Sequence, residues 1–293
     1  MDFVNGKGLL KLCGEFQMPI SGVMKQREIM TGKSPEEEID RRLDRALEIM
    51  KDAAKQPLSD PKKSIGGLIG GEARRVYEHA QADGGLCGEA LSRAIAYSMA
   101  VLETNAAMGL IVAAPTAGSS GVVPGVLFSL QETCRLSEET VKNGLLNASA
   151  VGYLLMRNAS VSGAEAGCQA EVGAASAMAA SAAVEMLGGS AEACLYAAGM
   201  ALSNLLGLAC DPIAGLVEVP CQSRNGLGVA NAFTCAQLAL SGVFHPVPFD
   251  EMADAMYRAG RSLPYELRET ALGGSAGTPT GCKFGCAVRN GSL

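Results

Sequence analysis

The chain has 293 residues, a formal net charge of −6, and 48% hydrophobic content with only 4% aromatic residues and no Trp. That length suffices for one large domain, and the acidic balance with scattered Lys and Arg leaves no footprint for a nucleic-acid partner. The apolar content is Ala, Leu, Val and Met beside 36 Gly, a mixture that favours close helix-on-helix packing over an aromatic-rich β-sandwich.

Residues 1–34 contain several Gly and read as irregular. Ser34 followed by Glu37 matches a capping box, and Ile39, Leu43, Leu47 and Met50 recur at helical spacing, predicting a surface helix from Pro35 to about Ala54. Pro57 to Gly71 reads as a Gly-rich linker, and helices are expected over Glu72 to Ala82 and Cys87 to Met108. A Gly/Pro-bounded loop, Ala113 to Gly121, leads into a helix from about Val123 to Glu132. Ser137 starts the next, with Glu138 and Glu139 complementing its dipole. Residues 170–187 and 190–208 form an Ala-rich pair broken at Gly188-Gly189. After a loop over 209–226 come helices from about Leu227 to Leu240 and Asp250 to Ala259, then an irregular Gly-rich tail over 264–293.

Period-two alternation and β-branched runs are sparse, so the fold class is all-α: a single helical domain spanning 1–293. The apolar stretch Ala174 to Ala183 is punctuated by Glu171 and Glu185, short of the roughly 20 residues a bilayer span needs. A charged content of only 18% points to a covered central helix or to a subunit interface, hence an oligomer. The N-terminus lacks the pattern of a secretory signal, so a cytoplasmic location is expected. There, ten cysteines should be thiols that either pack or carry metal or redox chemistry. Cys134, Cys194 and Cys235 lie in apolar helical runs, where Cys behaves as a small hydrophobe.

Three constellations stand out. Cys168, Cys210 and Cys221 lie in loop-like contexts at spacings of 42 and 11, which match no CxxC signature and leave packing and ligation both open. The loop Ala113–Gly121 sets the Thr116, Ser119 and Ser120 hydroxyls and the Gly118 and Gly121 amides before a helix N-terminus. It is a receptor for a carboxylate or phosphate, or simply a capped turn. Glu103 and Asn105, polar residues in an apolar helix, either brace that loop or reach its ligand. The two histidines, His79 and His245, are too few for a multi-His metal site and read as solvated.

The segments GLIVAAPTAGSSGVVPG (109–125), EAGCQAEVG (165–173), NLLGLACDPIAGLVEVPC (204–221) and LRETALGGSAGTPTG (267–281) resemble the α chain of the iron–sulfur-dependent L-serine dehydratases. The resemblance covers nearly all the chain from about residue 20. It implies a 4Fe-4S cluster on Cys168, Cys210 and Cys221, with one iron open for the Lewis-acid dehydration of L-serine to pyruvate and ammonia. It also implies that Thr116, Gly118, Ser119, Ser120, Gly121 and Asn105 bind the substrate, and that a separate β chain is the partner. The sequence departs from the family at Ser120, where many relatives carry Cys, and at Cys282 and Cys286 of the tail, one of which would cap the open iron. In fused relatives the β portion supplies a candidate catalytic histidine; this chain lacks that portion, so the base stays unassigned, with His79 as one candidate. The lack of lysine between Lys63 and Lys142, together with the missing strands, argues against a pyridoxal-phosphate enzyme. A cluster-dependent L-cysteine desulfidase and a non-catalytic zinc-binding scaffold are the rival readings.

Overall fold

The computed structural model describes residues 1–83 and 85–290, and among them helices predominate and no strand is present. In chain order the helices are α1 (Gly6–Phe16), α2 (Ile20–Gly32), α3 (Glu36–Ser59), α4 (Glu72–Asp83), α5 (Gly88–Ala106), α6 (Val122–Thr133), α7 (Glu138–Asn158), α8 (Gly163–Ala166), α9 (Ala174–Met186), α10 (Ala191–Asn204), α11 (Cys221–Leu240), α12 (Phe249–Ser262) and α13 (Pro279–Arg289). The all-α expectation holds, and most interior helices lie within a few residues of their expected bounds.

α9 is the centre. Twelve of its thirteen residues are buried, which makes it apolar on every side, and α6, α7, α10 and α11 surround it. Small residues allow that close approach: a Cβ on Gly144 would sit 2.7 Å from Met186 Sδ, and one on Gly228 would sit 2.8 Å from Val122. The serines inside the packing are paired, as burial requires: Ser176 donates to the Gly228 carbonyl and Ser181 to Asn147 Oδ1.

Several expectations need correction. The segment 1–34 holds α1 and α2. Asn5 caps α1 by accepting from Gly8, and the distant Asp250 carboxylate accepts the Gly6 and Lys7 amides. The Ser34 capping box is not formed; Pro35 is the N-cap of α3, and Ser34 Oγ reaches only the Gly32 carbonyl. α3 runs on through the buried Pro57, whose missing amide leaves the Ala53 carbonyl to accept from Thr104 Oγ1 instead. α11 starts at Cys221 rather than Leu227, and α10 stops at Asn204 rather than Leu208. The tail is not irregular throughout: Thr278 caps α13 by accepting the Gly281 amide, with Pro279 in the first turn.

Candidate active site

The chain reaches the first thiol through a forced turn. α8 ends at Gly167, whose φ of +74° favours glycine, and a Cβ there would lie 2.5 Å from Leu263. Cys168 follows and caps a π-helical turn, Gln169–Gly173, that feeds α9; such turns recur at functional sites. Gln169, 1% exposed, staples this turn in place: its Oε1 accepts the Gly207 amide and its Nε2 donates to the Met256 carbonyl.

Cys210 lies in the loop between α10 and α11. Its amide donates to the Leu267 carbonyl at 2.8 Å and its carbonyl accepts the Glu269 amide at 2.7 Å, so the tail motif 267–269 clasps it. Cys221 is the first residue of α11, directly after the cis Val219–Pro220 bond. All three thiols are buried. Cys168 and Cys210 share an apolar cluster with Val172 and Leu205. The neighbouring Cys210 thiol lowers the Cys168 pKa, and Cys168 in turn raises that of Cys210. Burial, and then the charge of Cys168, push Cys221 up. Among the described residues no three His, Cys, Asp or Glu side chains converge on one point as ligands of a single ion would.

Glu171, in the π-turn, was missed by sequence reasoning and lies between the thiols and the Ser/Gly loop. Its Oε1 accepts from Thr116 Oγ1 at 2.7 Å, and its Oε2 is 3.9 Å from Cys210 Sγ. Two glycines make room for it: a Cβ on Gly163 would stand 2.8 Å from Oε2, and one on Gly118 would stand 3.3 Å from Oε1. Burial raises the Glu171 pKa, the Thr116 hydrogen bond opposes that, and the charge of Glu269 adds to the rise.

The loop itself carries a cis Ala114–Pro115 bond and a 3-10 turn, Ala117–Ser119. Ser119 and Ser120 are fully buried; Ser119 Oγ pairs with Thr116 Oγ1, and Ser120 Oγ donates back to the Ala117 carbonyl. Asn225, also missed, clamps the loop. Its Oδ1 accepts the Gly121 amide, and its Nδ2 donates to the carbonyls of Gly118 and Cys221. Thr116, Gly118, Ser119, Ser120 and Gly121 are thus tied to the thiols through Glu171 and Asn225. Asn105 is half-buried in the last turn of α5.

Glu103 braces different elements from those expected: its Oε1 accepts from the Ala73 amide and from Gln222, the neighbour of Cys221. Glu218, 2% exposed, anchors the Gly66–Gly71 stretch by accepting from Ser64 Oγ and the Gly66 and Leu68 amides. His79 is exposed on α4, and His245 is half-buried against Val247. Cys134 is exposed at the end of α6, whereas Cys194 and Cys235 are packed as expected. Cys282 and Cys286 are exposed on α13, which packs on the turn Ile213–Gly215 between Cys210 and Cys221.

The fold and site define a helical domain whose loops gather three buried thiols, one buried carboxylate and a Ser/Gly turn. Residues 15–276 match the family described as serine dehydratase alpha chain, and the chain belongs to that family. It is 45% identical over 276 residues to the L-serine dehydratase alpha chain of Peptoniphilus asaccharolyticus, covering 94% of each. It is 44% identical over 291 residues to a probable L-serine dehydratase alpha chain of Bacillus subtilis, covering 99% of this chain and 97% of that one. Against the L-serine dehydratase of Helicobacter pylori it is 36% identical over 283 residues, but these span only 62% of that longer protein.

Proposed function

We propose that this chain dehydrates L-serine to pyruvate and ammonia, with Cys168, Cys210 and Cys221 as ligands of a 4Fe-4S cluster. The carrying observation is that these thiols, though 42 and 11 residues apart, lie around Glu171 and Arg224 and next to the Thr116–Gly121 loop. Relatives that carry the serine dehydratase name over nearly the full chain support the substrate. The donor set fits such a cluster: each of its thiolates binds a different iron, so they need not meet at one point. When bound, an iron without a protein ligand supplies Lewis acidity that eases departure of the β-hydroxyl.

The chain's own residues bind, orient and move a proton. Thr116, Gly118, Ser119, Ser120 and Gly121, at the start of α6, with Asn105, form the receptor for the substrate's polar groups, where a helix N-terminus favours its carboxylate. Asn225 holds that loop rigid, and such orientation lowers the barrier by removing motion before the reaction. Glu171 is the residue positioned to remove the Cα proton, because its carboxyl sits between that loop and the thiols and burial makes it more basic. Loss of that proton and of the hydroxyl as water leaves an aminoacrylate, which tautomerises and hydrolyses to pyruvate and ammonia.

A separate β chain is the proposed partner, since relatives matched along nearly their whole length are named alpha chains and the Helicobacter pylori protein extends beyond the part matched here. No helix among the described residues is long and apolar enough to cross a membrane, and all ten cysteines are free, which suits a reducing cytoplasm. The test is anaerobic purification with iron, sulfide and visible-spectrum measurements. Pyruvate release from L-serine, L-threonine and L-cysteine is then assayed with and without a candidate β chain. Serine turnover that disappears with Cys168→Ala, Cys210→Ala or Cys221→Ala supports the reading. A protein that stays colourless after reconstitution and is indifferent to those changes removes it.

A further inference from the structure

Arg224 stands three residues along α11 from Cys221 and reaches back over the Cys210 loop. Its Nη1 donates to the Ala209 carbonyl at 2.8 Å and meets Asp211 Oδ1 at 2.7 Å, so it grips the residues on both sides of Cys210. Asp211 is buried and Arg224 largely so, with side chains 6% and 16% exposed. Asp211 is itself fixed: its Oδ2 accepts the Ser275 amide, and Gly274, at φ +57°, lies so close that a Cβ there would sit 2.2 Å from Oδ2. Three segments distant in sequence therefore converge on one ion pair.

A buried ion pair is weak evidence for stability, because desolvation offsets most of its attraction. A neutral side chain could also tie these backbones together. What it could not supply is a fixed positive charge beside thiolates, which guanidinium keeps at any ordinary pH. Glu171 and Glu269 act on these thiols as negative neighbours, whereas Arg224 acts on Cys168 and Cys221 as a positive one.

We infer that Arg224, with Asp211 as its counter-charge, is a positioning residue that holds the Cys210 loop to α11 and sets the net charge felt by the group those three thiols would hold. This inference rests on the cluster reading under Proposed function. The potential of an iron–sulfur centre follows its net charge and the hydrogen bonds around it. Removing the cation and removing its counter-anion must then move that potential in opposite directions, which loss of a structural tie would not do.

The experiment uses the full chain, reconstituted without oxygen with iron and sulfide, as wild type, Arg224→Gln, Arg224→Lys and Asp211→Asn. Iron and sulfide content, helicity by circular dichroism and the potential by spectroelectrochemical titration are read for each. Arg224→Gln is expected to shift the potential to a more negative value and Asp211→Asn to a more positive one, with Arg224→Lys staying near wild type. The inference is overturned if Arg224→Gln and Asp211→Asn shift together or not at all. It is equally overturned if Arg224→Lys loses its iron as fully as Arg224→Gln at unchanged helicity. A wild-type chain that takes up no iron or sulfide instead sinks the cluster reading, and this inference with it. That outcome differs from a loaded wild type whose variants fail to separate.

Discussion

The Thr116 hydroxyl donates to Glu171 Oε1 at 2.7 Å, joining the Ser/Gly loop before α6 to the π-turn that follows Cys168. Fifty-five residues separate the two in the chain, and their hydrogen bond makes one site of the loop and the thiols. Because Gly163 and Gly118 leave room on both sides of the carboxylate, its position is set by packing and not by the loop alone.

If Glu171 carries the proton, Glu171→Gln should lower kcat for L-serine by about 10²–10⁴-fold, the usual contribution of a positioned acid–base group. Iron content should stay at the wild-type level, since the amide keeps the shape and still accepts from Thr116. Steady-state assays alongside iron analysis check this; a variant with undiminished kcat would rule Glu171 out.

Gly163→Ala tests the space around that carboxylate. Its Cβ would lie 2.8 Å from Glu171 Oε2 and 3.0 Å from Cys210 Sγ, so one of these must move. Overpacking of this kind costs about 1–3 kcal/mol. We expect reduced iron uptake with helicity retained, measured by reconstitution and circular dichroism; uptake equal to wild type would show that the neighbours yield freely.

Asn225→Ala removes the clamp between loop and α11. It strands the Gly121 amide in a buried setting and the Gly118 carbonyl in a partly buried one. Unsatisfied buried groups cost about 1–3 kcal/mol each, so denaturant unfolding should show a loss of at least ~2 kcal/mol. A change within experimental error would mean that water or a shifted loop takes over both bonds.

Acid sensitivity should arise in part from Glu132, far from the thiols. Burial raises its carboxyl, but hydrogen bonds from Lys55, Tyr97 and Arg93 outweigh that and hold it below the ordinary value of 4.5. A depressed folded-state pKa contributes stability that is present above the unfolded value and lost as pH falls through the folded one. Urea unfolding of the metal-free chain should therefore weaken below about pH 4.5, and Glu132→Gln should flatten that part of the profile. An identical slope in the variant would assign the effect to other carboxylates.

Legibility in the sequence differed by element. α5, α6, α7 and α12 could be read because their signals lie in neighbouring residues, as with Ser137 accepting from Thr140 at the start of α7. α1 was hidden by its glycines, and part of what holds its first turn is the carboxylate of Asp250, 244 residues on from Gly6. α13 had a local signal, Thr278 before Pro279, obscured by the glycines around it. The cysteine set was legible only through family resemblance, since its spacings carry no ligand signature.

The sequence by itself determined the all-helical class, because helix periodicity and capping are properties of neighbouring residues, whereas the loop and thiol motifs could be read in it only through their resemblance to a family. Tertiary structure alone decided that Cys168, Cys210 and Cys221 are buried, and that Glu171, Asn225 and Arg224 stand beside them. Those relationships join residues more than a hundred positions apart, as with Gly121 and Asn225. They exist only once α9 is enclosed, when burial makes each hydrogen bond costly to leave unmade.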